Sequence, residues 1–121
     1  MAWRVEITDM FETWWSGLSL AEQEAIDSHV GLLKALGPAL SRPHVDTIKG
    51  SRFPNMKELR VQKAGRPLRI LFAFDPRRTA LLLLGGDKTG DKRWCAKALP
   101  QADRLFALHL AELEKTGKKK G

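Results

Sequence analysis

Two arginines lie inside stretches that otherwise predict apolar strands. Arg60 lies in the alternating segment 56–62, and Arg69 lies near the start of the apolar segment 68–74. A cation in such a place is costly in free energy unless it is paired or hydrated, so its presence calls for an explanation. An internal ion pair, for example between Arg69 and Glu58, is one explanation. Binding of an anion by the two guanidinium groups is the other.

A cationic loop follows the last predicted strand. Residues 85–93 (GGDKTGDKR) combine three glycines with Lys88 and Lys92. A flexible basic loop at the end of a strand is well suited to hold a phosphodiester. The loop is not a Walker A motif, because Leu82 and Asp87 occupy positions at which that motif requires glycine. The sequence therefore favours phosphate binding over nucleotide hydrolysis.

The overall charge agrees with an anionic partner. Twenty-one Lys and Arg against fourteen Asp and Glu give a net charge of +7, which favours nucleic acid before a membrane. The single cysteine, Cys95, cannot form an intramolecular disulfide, and together with three histidines it offers no zinc-ligand spacing. The apolar run 80–84 is too short to span a bilayer. We therefore expect a cytoplasmic protein with no metal, no other cofactor and no membrane partner.

The N-terminal third predicts a strand and a helical hairpin that could support this basic region. Residues 3–7 alternate apolar and polar side chains, as a half-buried strand does. A first helix is expected to start at Asp9, and a capping box of Ser19 and Glu22 predicts a second helix that ends at Gly37. The two helices share one apolar face, made of Phe11, Trp14, Trp15, Leu18, Ile26, Val30, Leu33 and Leu36. At this spacing the tryptophans are predicted to be core residues rather than a stacking platform for bases.

The central stretch predicts the sheet that positions the two arginines. Residues 56–62, 68–74 and 79–84 have the pattern of strands joined by short turns, so neighbouring strands must be antiparallel. With the N-terminal strand they make an antiparallel sheet of about four strands. The helical hairpin is expected to cover the face that carries Leu59, Ile70, Phe72 and Phe74. Arg60 and Arg69 then remain on the open face.

The chain is predicted to be a single α+β domain. With 121 residues it is long enough for one two-layer core but not for two domains. A final helix is expected to begin at Pro100. The domain is predicted to span residues 1–117, and residues 118–121 form a basic, disordered tail.

The order of these elements and motifs resembles the HigB-like branch of the RelE/ParE toxin superfamily. The resemblance covers nearly the whole chain, and it rests on residues 37–38 (GP), 42–43 (RP), 55–60 (NMKELR), 69–75 (RILFAFD) and 85–88 (GGDK). It implies a compact RelE-like domain that acts as the toxin of a type II toxin–antitoxin system.

The resemblance leaves three functions open. Relatives of the RelE and HigB kind enter the ribosomal decoding site and cut messenger RNA, whereas ParE relatives poison DNA gyrase. A nucleic-acid-binding module without catalysis is the third reading. The arginines of the open face favour the first, a metal-independent endoribonuclease (an mRNA interferase) that inhibits translation. The expected partners are a cognate antitoxin of the helix-turn-helix type and the ribosome with its mRNA.

The RNA-cutting relatives bind the scissile phosphate with basic residues on the sheet face. Carried over by motif, these are Arg60, Arg69 and Lys88. The RNA's own 2′-hydroxyl would then be the nucleophile, with Glu58 as the general base and His44 as a weaker candidate. The predicted RNA-binding residues around this catalytic group are Lys57, Arg66, Lys92, Arg93 and Trp94. The chain contains no tyrosine, which some relatives use near the C-terminus, so Trp94 is the candidate for stacking on a base.

Overall fold

Five strands form one mixed sheet in the computed structural model, which describes residues 2–63 and 65–120, the last four of these without their side chains. The strands are β1 (Arg4–Ile7), β2 (Val45–Thr47), β3 (Lys57–Lys63), β4 (Arg66–Phe74) and β5 (Thr79–Asp87). Their order across the sheet is β1-β5-β4-β3-β2. All neighbours are antiparallel except β1, which pairs with β5 in parallel. The predicted antiparallel sheet of about four strands is thus corrected to a mixed sheet of five. The α+β class is confirmed.

The helical hairpin consists of α1 (Asp9–Ser16) and α2 (Leu20–Leu36). Thr8 caps α1 by accepting a hydrogen bond from the backbone N–H of Phe11. The predicted capping box of Ser19 and Glu22 is present at the start of α2. Both helices cover the sheet face predicted for them, and the buried residues of this core include Phe11, Ile26, Leu33, Leu59, Ile70 and Phe72. Leu36, in contrast, is exposed, because it lies in the last turn of α2.

The opposite sheet face is predicted from the sequence to be open. In the structure it is not open along its whole length. Helix α3 (Trp94–Lys120) packs there and closes a second core with Met56, Leu71, Ala73, Leu81, Leu83, Ala102 and Phe106. The helix begins at Trp94, before the predicted start, and Pro100 lies inside it. Pro100 lies on an exposed position, where it removes one backbone hydrogen bond from the helix. Only the end of this face near Arg60 and Arg69 stays uncovered by the body of the helix.

A network of charged side chains fixes α3 to the turn between β4 and β5. The buried carboxylate of Asp75 accepts hydrogen bonds from the Arg77 guanidinium at 2.7 Å and from Nε2 of His109 at 2.8 Å. Arg77 also pairs with Glu6 of β1 at 2.8 Å. The turn has the predicted bond from Arg78 N–H to the Asp75 carbonyl at 3.0 Å. His109, predicted to be a packing residue, therefore also anchors the helix through a hydrogen bond.

The C-terminal end of α3 is described through Lys120, and Gly121 lies outside the described residues. The disordered tail expected over residues 118–121 stays a prediction. None of the described helices combines the length and the apolar character needed to cross a membrane.

Candidate functional site

Arg60 and Arg69 lie directly opposite each other on β3 and β4, on the face that α3 only partly covers. Two like charges in such a cross-strand pair repel each other unless a neighbour compensates them. Arg60 is compensated twice: its Nε donates to Oε1 of Glu58 at 2.8 Å, and its second terminal nitrogen lies 3.1 Å from Oδ2 of Asp46. These two carboxylates raise the pKa of Arg60.

Arg69 has no such compensation. One terminal nitrogen donates to the backbone carbonyl of Leu68 at 3.0 Å, while the buried Nε has no hydrogen-bond partner. Among residues 2–63 and 65–116, no carboxylate lies within 4.0 Å of its guanidinium. The ion pair considered for Arg69 and Glu58 is therefore wrong, because Glu58 pairs with Arg60 instead. A guanidinium with a free donor in a partly dry site is a strong anion ligand.

Glu58 is buried, with 4% of its surface exposed, and both of its carboxylate oxygens accept hydrogen bonds. Oε1 accepts from Arg60, and Oε2 accepts from the Cys95 thiol at an Sγ–Oε2 distance of 2.7 Å. Burial of the thiol, together with its hydrogen bond to the Glu58 carboxylate, raises the pKa of Cys95 to about 12. The positive charges of Lys88 and Arg69 act on this thiol in the opposite direction. Cys95 thus bonds to Glu58 and lies within electrostatic reach of the other three predicted catalytic residues, Arg60, Arg69 and Lys88.

Two tryptophans sandwich the Gly85-Gly86 pair at the end of β5. A Cβ atom on Gly85 would overlap the ring of Trp14 from α1, and one on Gly86 would overlap the ring of Trp94 from α3. The two glycines therefore belong to a strand that admits an aromatic ring on each face, and the strand continues to Asp87. The predicted glycine-rich loop is shorter than expected and starts only at Lys88.

This packing fixes the first turn of α3 beside Arg69. Gly86 is the β5 residue directly opposite Arg69, and Trp94 lies over it. The next residue, Cys95, reaches Glu58 on β3. The first turn of the helix thus crosses β4 next to Arg69. Trp94 is partly buried by this packing, and only part of its ring could meet a base.

The basic residues of the loop differ in how firmly they are held. The backbone N–H of Lys88 donates to the Pro67 carbonyl at 2.8 Å, and Asp91 closes a turn onto the Lys88 carbonyl at 3.0 Å. Lys88 is half-buried, and its charge reaches the Cys95 thiol. Lys92 and Arg93 are exposed at the rim. Lys88 therefore belongs to the site itself, and the two rim residues form its cationic edge.

Three other predicted residues lie apart from this group. Lys57 is on the opposite sheet face from Arg60 because side chains alternate along β3. Arg66 is bound by Glu22 and by Asp87, the latter at 2.8 Å, so it ties α2 to the sheet. The His44 ring contacts His29 of α2, with ring centroids 5.4 Å apart. This places the His44 ring on the side of the helical hairpin, although the His44 carbonyl accepts a hydrogen bond from the backbone N–H of Arg60 at 2.8 Å.

Two members of the site, Asp46 and Cys95, were not predicted from the sequence. Asp46 lies opposite Glu58 in the β2–β3 pairing, but its strand has only three residues and a weak pattern. Cys95 stands alone, and no spacing marks it. Among residues 2–63 and 65–120, no three His, Cys, Asp or Glu side chains come close enough to hold a metal ion.

The arrangement is suited to act on a phosphodiester. Arg69 offers a guanidinium that has no carboxylate partner, and Lys88 offers an ammonium on the neighbouring strand end. Glu58 supplies a carboxylate within the same group, and Arg60 holds it in place. Cations near a phosphate stabilise the charge that develops during in-line attack, and a carboxylate can accept the proton of the attacking hydroxyl.

Comparison with known protein families gives one match that covers most of the chain. A family model described as "Phage derived protein Gp49-like" matches residues 13–107. The matched segment includes both arginines, Lys88, Glu58 and Cys95. The N-terminal strand and the last turns of α3 lie outside it.

Two relatives come from Mycobacterium tuberculosis H37Rv. The protein named "Putative toxin HigB2" is 41% identical over 122 residues, which cover 99% of this chain and 60% of that protein. "Putative toxin HigB3" is 49% identical over 94 residues, which cover 77% of this chain and 81% of that protein. The chain thus spans three fifths of the longer relative.

Solved structures show the same fold at low identity. A mutant of the Escherichia coli toxin RelE in the free state has a TM-score of 0.59 at 11% identity, over 76% of this chain and 90% of that chain. The intact E. coli RelBE toxin-antitoxin complex gives 0.54 at 10% identity, over 70% of this chain and 95% of that chain. At such identities the likeness concerns the fold alone.

Proposed function

Because the chain belongs to the phage-derived Gp49-like family, in its HigB-like branch, we propose that it is the toxin of a type II toxin–antitoxin pair and cuts messenger RNA on the ribosome. The relatives named as toxins support the first part. The observation that supports the second is the unpaired guanidinium of Arg69, which lies opposite Arg60 and close to Lys88. This cationic group faces a carboxylate, as phosphodiester cleavage requires.

The proposed reaction is attack by the RNA's own 2′-hydroxyl on the adjacent phosphorus. The 2′-oxygen forms a bond to phosphorus while the bond to the 5′-oxygen breaks, which leaves a 2′,3′-cyclic phosphate and a free 5′-hydroxyl. Arg69, with Arg60 beside it, stabilises the charge on the non-bridging oxygens. Lys88 or Lys92 gives a proton to the departing 5′-oxygen.

Glu58, whose Oε1 lies 2.8 Å from Nε of Arg60, acts as the general base for the 2′-hydroxyl. Both of its oxygens accept hydrogen bonds in the free protein. It therefore takes the substrate proton on Oε2, where the neutral Cys95 thiol is the weaker partner, and keeps its ion pair with Arg60 through Oε1. The proton goes from the 2′-oxygen to this carboxylate.

The proposed protein partner is an antitoxin that opposes the chain's charge of +7. The RelBE complex shares this fold and contains a toxin with its antitoxin. An antitoxin of the helix-turn-helix type, encoded beside this chain, is expected to present acidic side chains to the site and to block entry to the ribosome. Because the proposed target of the chain is mRNA on translating ribosomes, we expect the chain to act in the cytoplasm.

The test is to induce the chain alone in bacteria and to map RNA ends with and without translating ribosomes. We expect growth arrest and new 5′-hydroxyl ends within translated messages. Arg69→Ala should abolish both, while Arg104→Ala, a matched change at an exposed arginine of α3, should abolish neither.

Either of two other results would contradict the proposal and favour another function. Signals of DNA breakage without new RNA ends would make the chain a gyrase inhibitor of the ParE kind. Salt-sensitive RNA binding with no cleavage, even on ribosomes, would make it a binding module.

A further inference from the structure

We propose that Cys95 is a positioning residue that holds the Glu58 carboxylate on Arg60 and thereby keeps Arg69 free for the scissile phosphate. This inference rests on the proposed function, because it assigns a purpose to the free guanidinium. It concerns a side chain that the reaction scheme above does not use as acid, base or phosphate ligand.

The geometry around Glu58 divides its two oxygens between two partners. Oε1 accepts a hydrogen bond from Nε of Arg60 at 2.8 Å, and Oε2 accepts one from Sγ of Cys95 at 2.7 Å. These two bonds hold the buried carboxylate in an orientation in which it pairs with Arg60 and lies beyond ion-pair distance of Arg69. Arg69 accordingly keeps an Nε that is buried and has no partner.

Without the thiol, Arg69 is the cation best placed to capture Glu58. Glu58 lies opposite Leu71, and Arg69 lies two residues earlier on β4, so the two are diagonal neighbours on one sheet face. Diagonal neighbours are about 7–8 Å apart at their backbones, a span that long side chains bridge. An unpaired carboxylate oxygen in a buried site is costly in free energy, so it would turn to the nearest unpaired donor. That donor is Arg69 Nε.

Cys95 is suited to this task because it donates a hydrogen bond and adds no charge. The thiol remains protonated at neutral pH, since burial and the Glu58 carboxylate hold its pKa near 12. A lysine at this place would instead compete with Arg60 for the carboxylate. The position of Cys95 is fixed by Trp94, whose ring packs on Gly86.

The experiment compares Cys95→Ser, which keeps a donor of similar size, with Cys95→Ala, which removes it. The direct readout is the ¹⁵N–¹H signal of the Arg69 Nε–H group, assigned by its loss in Arg69→Lys. We expect Cys95→Ser to leave this signal near its wild-type position, and Cys95→Ala to shift it downfield and protect it from exchange as Glu58 captures it.

A binding readout tests the consequence for phosphate. Affinity for a short single-stranded oligonucleotide, with 2′-deoxy sugars so that it cannot be cut, should fall about tenfold in Cys95→Ala and not in Cys95→Ser. The slope of log affinity against log salt should decrease by about 0.7, the value for one phosphate contact. In a Glu58→Met background no oxygen acceptor is left at this position to capture Arg69, so adding Cys95→Ala should change neither the signal nor the affinity.

Two controls separate the possible failures. If Cys95→Ala leaves the Arg69 signal and the salt slope at their wild-type values, the positioning role is wrong, whatever the protein does to RNA. If Arg69→Ala itself leaves oligonucleotide affinity unchanged, the proposed phosphate site is wrong and the signal shift alone decides the role of Cys95.

Should Cys95→Ala fail to fold, the rate at which iodoacetamide modifies the Cys95 thiol of the folded protein decides. Alkylation at pH 8 more than tenfold slower in wild type than in Glu58→Met, where the thiol is equally enclosed, supports the Glu58 bond, and an equal rate in the two proteins overturns it.

Discussion

Arg60 and Arg69 face each other across β3 and β4, yet only Arg60 is held by carboxylates. The difference arises from the two flanking strands: β2 brings Asp46 within 3.1 Å of Arg60, whereas the β5 residue opposite Arg69 is Gly86, which has no side chain. The two arginines therefore have different tasks. Arg60 orders the site, and Arg69 is available to an anion.

The first prediction is that the two arginines differ in their effect on stability. Arg60→Ala leaves Glu58 buried without its cation and should lower the free energy of unfolding by about 2 kcal/mol or more. Arg69→Ala removes an unpaired buried donor and should be neutral or slightly stabilising. Urea unfolding followed by tryptophan fluorescence measures both, with Arg104→Ala as the control for an exposed arginine. Equal losses from the two substitutions would contradict the assignment.

The second prediction concerns the glycines that the two tryptophans enclose. Gly86→Ala places a methyl group where the Trp94 ring lies, so it should lower the free energy of unfolding by about 1–3 kcal/mol, as overpacking does. It should also reduce RNA cleavage, because the first turn of α3 carries Cys95. Gly31→Ala is the matched control: nothing lies within 4 Å of its new Cβ in α2, and it should stabilise the protein by up to about 1 kcal/mol.

Local patterns made much of this fold predictable from the sequence. The capping box at Ser19, the turn at Asp75 and the alternation along β3 and β4 each depend on residues that are close in the chain. The helix start at Trp94 was not predictable in this way, because Pro100 is the stronger local signal. Two tertiary contacts override the Pro100 signal: the Trp94 ring packs on Gly86, and the Cys95 thiol donates a hydrogen bond to Glu58.

The cations of the site were predictable from the sequence, but their ion-pair partners were not. The alternation of residues places Arg60 and Arg69 on one face, and the turn after β5 brings Lys88 close. Which arginine takes Glu58 depends on Asp46 and Cys95, which come from an edge strand and a helix far apart in the chain. Such pairing follows from the register between elements, and a single sequence does not reveal it.

The third prediction is a pH dependence of stability that comes from Asp75. Burial disfavours ionisation of this carboxyl, but hydrogen bonds from Arg77 and His109 outweigh burial and lower its pKa. A lowered pKa in the folded state stabilises the fold at any pH above the unfolded value of about 4, and this contribution disappears as the pH falls through the folded value. Wild type should therefore lose stability steeply below pH ~4.

Substitution of Asp75 isolates that contribution. Asp75→Asn weakens the bonds from Arg77 and His109 and should lower the free energy of unfolding by about 2–3 kcal/mol at pH 7. The difference from wild type should shrink as the pH falls from about 4 through the lowered folded-state pKa of Asp75, because the unfolded wild-type chain then binds a proton at Asp75 before the folded chain does, until both are protonated. Asp27→Asn, at an exposed residue of α2, should show no such convergence. A constant difference across this pH range would mean that Asp75 acts through packing and not through its charge.

The fourth prediction distinguishes the proton donor of the reaction from the residues that bind charge. Lys88 is half-buried and its charge acts on the Cys95 thiol, whereas Lys92 is exposed, so Lys88 is the better placed to protonate the departing 5′-oxygen. Lys88→Gln should slow cleavage by about a hundredfold or more, and Lys92→Gln should have a much smaller effect. The measurement is single-turnover cleavage of a defined message bound to ribosomes.

Replacing the departing oxygen of that message by sulfur tests the role directly. A thiolate leaves without needing a proton, so the sulfur substrate should restore most of the rate to Lys88→Gln. Arg69→Ala loses stabilisation of the non-bridging oxygens, which the sulfur does not supply, so it should stay slow on both substrates. If the sulfur substrate rescues neither Lys88→Gln nor Arg69→Ala, Lys88 binds charge as Arg69 does. If it rescues Lys92→Gln alone, the exposed lysine at the rim is the acid. Because both substrates bind the same site, the comparison separates proton transfer from phosphate binding.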